Sequence, residues 1–241
     1  MVYEIKKCWG TEAEEFAECW RAVEKFFSAF DKLSAAEVVE WEEDGCLEMM
    51  PDRTMDVLYD EWWKEKDFQL CWGETKNTLV PRKEGEWVVK MPNNGRGHDY
   101  CDDEVLYWNF ADQEGLGKYF AETLCIGEVV MRFENSCKRE DTFIVPLYAQ
   151  RRLTWDEEGE KKTSSYTRSD DEVSSGVYDD AEYCGTDGGL VDSWIAICGL
   201  PTAERILSFI VQNDLNDIHE SNWAWREGVP CVYDFSGYHE G

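Results

Sequence analysis

Apolar residues recur at intervals of three and four from Phe16 through Cys19, Trp20, Val23, Phe26, Phe27 and Phe30, which marks one buried face of a helix. The spacing predicts a helix over residues 11–30, with Thr11 as N-cap and Glu14 three residues on, completing a capping box. Two more helices are predicted over residues 34–43 and 54–64, so that residues 1–66 read as a helical extension. From residue 68 the texture changes. Runs at 68–72, 86–91, 120–130 and 143–148 are β-prone and are separated by Gly, Asn and charged turns. One helix, predicted over residues 101–111, interrupts them and places Glu104, Tyr107 and Trp108 near one face. Residues 154–189 are rich in Asp, Glu, Ser and Gly and predict a mobile surface insert. A helix over 202–211 follows, then a hairpin over 223–233 that turns at Glu227-Gly228. The organisation read from these patterns is a helical extension (1–66), a strand-rich lobe (67–150) and a C-terminal part (151–241).

A chain of 241 residues with 43% hydrophobic and 14% aromatic content carries enough apolar surface for one core or two small lobes. It has neither a basic-led apolar leader nor an apolar run of eighteen residues, so the expected address is the cytoplasm, with no membrane partner. The ten cysteines fall as singletons without a CxxC pair, which points to reduced, mostly buried thiols and away from a zinc site or a disulfide scaffold. The formal net charge of −28 excludes non-specific attraction to nucleic acid or anionic lipid. The same field repels ATP, so a nucleotide site would depend on Mg²⁺ and on a well-placed lysine, and a cationic acceptor would be attracted. Two other readings of the charge are plain solvation of exposed faces and an acidic DNA mimic that blocks a nucleic-acid-binding protein.

The candidate chemistry lies near the end of the chain, in Asp217-Ile218-His219-Glu220-Ser221-Asn222 and Asp234-Phe235-Ser236-Gly237. An aspartate followed five residues later by an asparagine, on a loop after a helix, sets a catalytic base beside a Mg²⁺ ligand, and a second metal-binding aspartate is due from the next hairpin. Upstream, Trp87-Val88-Val89-Lys90 carries a lysine at the end of a strand, and Glu104 lies on the helix that follows. In this set of motifs and in their order the chain resembles the protein-kinase-like superfamily. The loop is similar to the DxHxxN form of aminoglycoside and other small-molecule phosphotransferases, and the whole looks like the compact kinase-like proteins of bacteria and their phages.

The resemblance implies an α+β, protein-kinase-like fold: an antiparallel N-lobe sheet with one helix, a reduced helical C-terminal part, and the N-terminal helical extension. It implies ATP and Mg²⁺ as cofactors, with Lys90 on the α and β phosphates, Glu104 holding Lys90, Asp217 orienting or deprotonating the acceptor hydroxyl, and Asn222 and Asp234 on the metal. Gly73, Thr75 and Lys76 stand where the phosphate-covering loop belongs, though with a single glycine. Leu147 and Ala149 stand where backbone groups would read the adenine. His219 reads as a loop residue bonded to backbone. The sequence runs four residues past Gly237, so the large substrate-binding lobe of the family is expected to be replaced by the N-terminal helices or by a partner protein. A pseudokinase adaptor, which binds a partner through those helices without catalysis, is the alternative.

Overall fold

A computed structural model of the chain describes residues 2–11, 13–32, 39–41, 47–49, 67–82, 85–134, 139–216 and 218–235. The class is α+β, with a six-stranded antiparallel sheet and seven α-helices among the described residues. Contacts divide the chain into two compact units, residues 1–102 with 123–151 and residues 103–122 with 152–241. No described helix is long and apolar enough to cross a membrane.

The first unit is built on β1 (Val2–Lys7), β4 (Phe68–Cys71), β5 (Lys76–Pro81), β6 (Trp87–Pro92), β7 (Thr123–Glu134) and β8 (Glu140–Arg151), in the order β1-β7-β8-β6-β5-β4. Because strand side chains alternate, Trp87, Val89 and Met91 of β6 share one face with Val145, Leu147 and Ala149 of β8. Helix α1 (Ala17–Ser28) covers that face with Phe16, Cys19, Trp20, Val23, Phe26 and Phe27, all buried. Edge-to-face contacts of Phe26 with Phe27 and Phe30, each at 5.1 Å, tighten this layer.

The apolar stripe of α1 thus forms as its periodicity predicts, but its start does not. The α-helix begins at Ala17, after a 3₁₀ turn over Glu14–Phe16, and the capping box is not formed. The Thr11 hydroxyl donates instead to the carbonyls of Cys8 (2.8 Å) and Ile126 (3.0 Å), while the Thr11 carbonyl accepts the Trp20 indole N–H at 2.7 Å. Thr11 is therefore committed to tying β1 to β7, which leaves it no role as a cap.

Within residues 1–66, β1 is a strand that pattern reading passed over. It pairs with β7 from Val2↔Arg132 to Lys7↔Gly127. Of the helix predicted over 34–43, the described part, β2 (Val39–Trp41), is a strand paired with β3 (Leu47–Met49). Val39 and Trp41, flanking Glu40, suit a pleated strand with a cross-strand partner. The helix predicted over 54–64 lies outside the described residues. Strand β5 was also passed over. On it Asn77 is fully buried, and neither amide atom has a hydrogen-bond partner among the described residues. An orphaned buried amide is costly, so Asn77→Leu is expected to raise stability by about 1–2 kcal/mol, read as a higher urea midpoint at unchanged slope.

Helix α2 (Gly95–Gln113) contributes its first turns to the first unit and the rest to the second. The second unit holds α3 (Glu157–Ser164), α4 (Asp170–Ser174), α5 (Val177–Tyr183), α6 (Gly188–Cys198), α7 (Leu200–Gln212) and a hairpin of β9 (Trp223–Arg226) and β10 (Val229–Val232). Residues 154–189 are thus largely helical rather than an irregular surface insert. Their polar side chains serve as caps. Asp156 accepts from the peptides of Glu158 and Gly159, and Ser169 with Glu172 forms a capping box. Arg168 forks onto Asp192 through two 2.8 Å bonds, and Tyr178 donates to the same carboxylate at 2.8 Å. Of the apolar residues of the stretch, Val177, Ala181 and Cys184 are buried in a core with Trp194, Ile206, Phe209 and Phe235, while Trp155, Val173 and Tyr183 stay exposed.

Candidate functional site

Lys90 sits near the end of β6 and is only 4% exposed. In register it faces Thr78 on β5 and Tyr148 on β8, and Tyr148 in turn faces Cys125 on β7, so these four side chains form one cross-strand row on the face away from α1. Tyr148 donates its phenol to Asp102 of α2 at 2.6 Å. Burial, reinforced by that carboxylate, pushes the Tyr148 pKa far up, so the phenol stays protonated and the bond persists across the physiological range. Glu104, two residues past Asp102, is fully buried on the part of α2 that belongs to the second unit. A buried ammonium and a buried carboxylate both require partners, and neither residue lacks one.

Lys76 opens β5, and the turn between β4 and β5 holds Gly73 and Thr75. Asn93 clamps it from the end of β6: its amide donates to the Gly73 carbonyl at 2.9 Å, and its peptide N–H donates to the Thr75 carbonyl at 2.8 Å. The first turn of α2 then closes onto the same carbonyl. A Cβ on Gly97 would stand 1.9 Å from the Thr75 oxygen, and one on Gly73 would stand 2.4 Å from the Lys76 oxygen. Both positions need glycine for close approach. Since the obstacle is backbone, Gly97→Ala is expected to cost at least about 2 kcal/mol, measured by urea unfolding. Lys76 is 8% exposed, with its ammonium 5.8 Å from the Tyr100 ring centroid. Leu147 and Ala149 are buried on the α1 face, so only their backbone groups bear on any ligand.

In the second unit the loop after α7 is fixed at several points. The Ile218 carbonyl accepts from the Asp187 peptide at 2.8 Å. The Asp187 carboxylate caps α6 at Leu190 and takes the Trp223 indole N–H, each at 3.1 Å. Asp187 is therefore the anchor of this loop, and pattern reading missed it. An aspartate directly before an apolar helical run is an N-cap signal that would have found it. His219 accepts the Ser221 peptide N–H on Nδ1 at 3.2 Å, as a loop residue bonded to backbone does. Asp217 lies outside the described residues.

The hairpin then brings the other two residues together. Glu227 and Gly228 both have positive φ, 51° and 77°, the primed turn that matches strand twist, so β9 and β10 pair in register from Val229↔Arg226 to Val232↔Trp223. At the foot of the hairpin the Tyr233 peptide donates to the Asn222 carbonyl at 2.8 Å, which sets Asp234 one residue beyond Asn222's bonded partner. Asp234 adopts φ 58°, a left-handed conformation that aspartate and asparagine tolerate better than most residues. Phe235 is fully buried, edge-on to Phe120 at 5.3 Å, and Phe120 meets Phe209 at 5.3 Å. The docked Phe235 ring fixes the backbone directly after Asp234.

Asn222 and Asp234 carry an amide oxygen and a carboxylate, hard donors of the kind that could hold Mg²⁺ when substrate phosphates and waters complete its shell. Among the described residues no group of three or more His, Cys, Asp or Glu side chains could hold a metal ion by itself. Comparison with known proteins matches the chain to no family model and to no curated relative.

Proposed function

We propose that the chain is a kinase-like phosphotransferase that uses Mg²⁺ and ATP and acts on a hydroxyl group of a cationic acceptor. The observation that carries the reading is the buried Lys90 in the middle of an antiparallel sheet whose strand and helix order is that of a kinase N-lobe. Strands β4, β5 and β6 run consecutively, the lysine is on the third of them, helix α2 with the buried Glu104 follows, and β7 and β8 close the sheet with β8 beside β6. The bonded pair at the hairpin foot, with Asn222 and Asp234, supports the same reading from the other end of the chain.

In this reading Lys90 neutralises phosphate oxygens, and its confinement in the sheet holds the ammonium at one point. Glu104 is a positioning residue for Lys90. Asn222 and Asp234 hold the magnesium, which neutralises charge on the transferring phosphoryl group. Asp217 accepts the proton of the acceptor hydroxyl. The net charge of −28 favours an acceptor bearing amines or a basic peptide, and works against uncomplexed ATP.

The test is Mg²⁺-dependent transfer of the ATP γ-phosphate, to water or to hydroxyl acceptors such as amino sugars and basic peptides, by the wild type and by Asp217→Asn. Loss of a general base costs about 10²–10⁴-fold, so a fall of at least a hundredfold in the variant is the expected result. Equal rates for the two proteins, or no magnesium-dependent turnover with any of these acceptors, would sink the catalytic reading.

A further inference from the structure

Two cysteines outside the kinase-like residues stand together at the edge of the sheet. Cys8 directly follows β1, and its peptide N–H donates to the Ile126 carbonyl at 2.8 Å, continuing the β1–β7 ladder by one step. Cys125 is the neighbour of that carbonyl on β7, at the point where the ladder to β8 shifts register between Cys125 and Gly127. Lys6 of β1 meets Glu128 of β7 across the ladder at 3.0 Å, and one step further along, past the irregularity at Ile126, Cys8 and Cys125 follow on the same face, close enough for each to act on the other's charge. Both thiols are free and both residues are exposed. The Thr11 hydroxyl, bonded to the carbonyls of both Cys8 and Ile126, fixes the local backbone on each side of the pair. Cys71 is also exposed, but its bond is to Gln69, while Cys19, Cys101, Cys184 and Cys231 are buried.

We infer that Cys8 and Cys125 are a vicinal dithiol that converts reversibly to a disulfide, a modification site independent of the proposed phosphotransfer. Two thiols on one face of adjacent antiparallel strands, a single ladder step apart, stand where a cross-strand disulfide can form with little backbone rearrangement. The oxidant is a small-molecule disulfide such as glutathione disulfide. The Cys8 thiolate attacks one sulfur of the oxidant, forming a mixed disulfide and releasing one small thiol after protonation. The Cys125 sulfur, as thiolate, then attacks the Cys8 sulfur, forming the intramolecular bond and expelling the second small thiol. Each protein thiol loses its proton, the protein gives up two electrons, and the oxidant leaves as two thiols. Although part of its surface is exposed, the partial burial of Cys125 and then the adjacent Cys8 push its pKa up to about 11, which makes Cys125 a poor first nucleophile and suits it to the second, intramolecular step.

The oxidised bond would join residues far apart in sequence and so remove much freedom from the unfolded chain. A rise of several degrees in the unfolding temperature is expected, reversed by dithiothreitol.

The experiment treats the native, full chain with glutathione disulfide and follows intact mass, peptide maps and unfolding temperature for the wild type, Cys8→Ser and Cys125→Ser. The expected result is a loss of about two mass units, a single Cys8–Cys125 linked peptide, and the thermal rise, all absent in both variants. Cys125→Ser is further expected to stop at a glutathione adduct on Cys8. A stable adduct on Cys8 in the wild type, a linkage among other cysteines, or no reaction at either residue while Cys71 is modified would each overturn the inference. Because both side chains are exposed, serine at either position is expected to leave the reduced unfolding temperature unchanged. If one variant unfolds early, the wild-type peptide map decides alone.

Discussion

Asp234→Asn is expected to abolish the magnesium-dependent rise in unfolding temperature that ATP gives the wild type, and to leave the ligand-free temperature within about a degree. A ligand that binds only the folded protein, present at a hundred times its dissociation constant, stabilises by about 2.7 kcal/mol. For a chain of this size that is a rise of roughly 5–10 °C. Position 234 makes the variant informative because of its backbone. With φ at 58°, alanine would add strain of about 1–2 kcal/mol, and lost binding could then be confused with a damaged hairpin. Asparagine accepts the same conformation and keeps the side-chain shape, so what changes is the carboxylate charge, the property the proposed metal role depends on. A rise that survives the substitution undiminished would remove Asp234 from the metal site, and a rise equal in ATP with EDTA would remove the metal.

Phe235→Ala carries the largest expected loss of stability. The ring is fully buried and packs edge-on against Phe120, which in turn meets Phe209 of α7. Truncating a buried phenylalanine leaves a cavity that the neighbours fill only in part, at about 3–5 kcal/mol. The loss belongs to the second unit, so hydrogen exchange should rise in α5, α6 and α7 while the strands of the first unit keep their protection. Phe235→Leu, which keeps most of the apolar volume, is expected to recover most of the loss. Uniform loss of protection across both units would contradict this assignment.

The parts of the fold legible in the sequence were those where one local rule decides the outcome. The aromatic stripe of α1 needs only a helical period and an apolar sheet to lie on. The Glu227-Gly228 turn needs only two residues with positive φ between alternating strands. Elsewhere the deciding partner is distant. β1 is a short six-residue strand ending in two lysines, and its place in the sheet is set by β7, far along the chain. β5 begins Lys76-Asn77-Thr78 and ends in proline, a poor strand by propensity that is held between two better ones. Thr11 has the composition of a cap and is used as a tether. Residues 154–189 resemble a solvated loop because their acids and serines are helix caps, while the few apolar residues they bury suffice once Trp194 and Phe209 are there to receive them. For the candidate site, sequence motifs marked Lys90, Glu104, Asn222 and Asp234. Around them, Asp187 was open to detection as an N-cap before an apolar helix, whereas Asn93 at the Gly73 turn and the Tyr148–Asp102 pair belong to no motif and emerge only from hydrogen bonds.

Each of the two units is assembled from two separate stretches of chain, and the first is completed only by β7 and β8. That division sets a schedule for synthesis. Lys6 of β1 and its partner Glu128 of β7 are 122 positions apart, so at translation rates of about 5–20 residues per second β1 waits roughly 6–24 seconds for the strand it pairs with. For the first part of that interval the phenylalanine-rich face of α1 has neither β5 nor β6 to lie on, and until β8 is made the sheet beneath it is incomplete. An incomplete sheet over those seconds makes elongation rate and chaperone capture contributors to folded yield alongside the stability of the finished molecule.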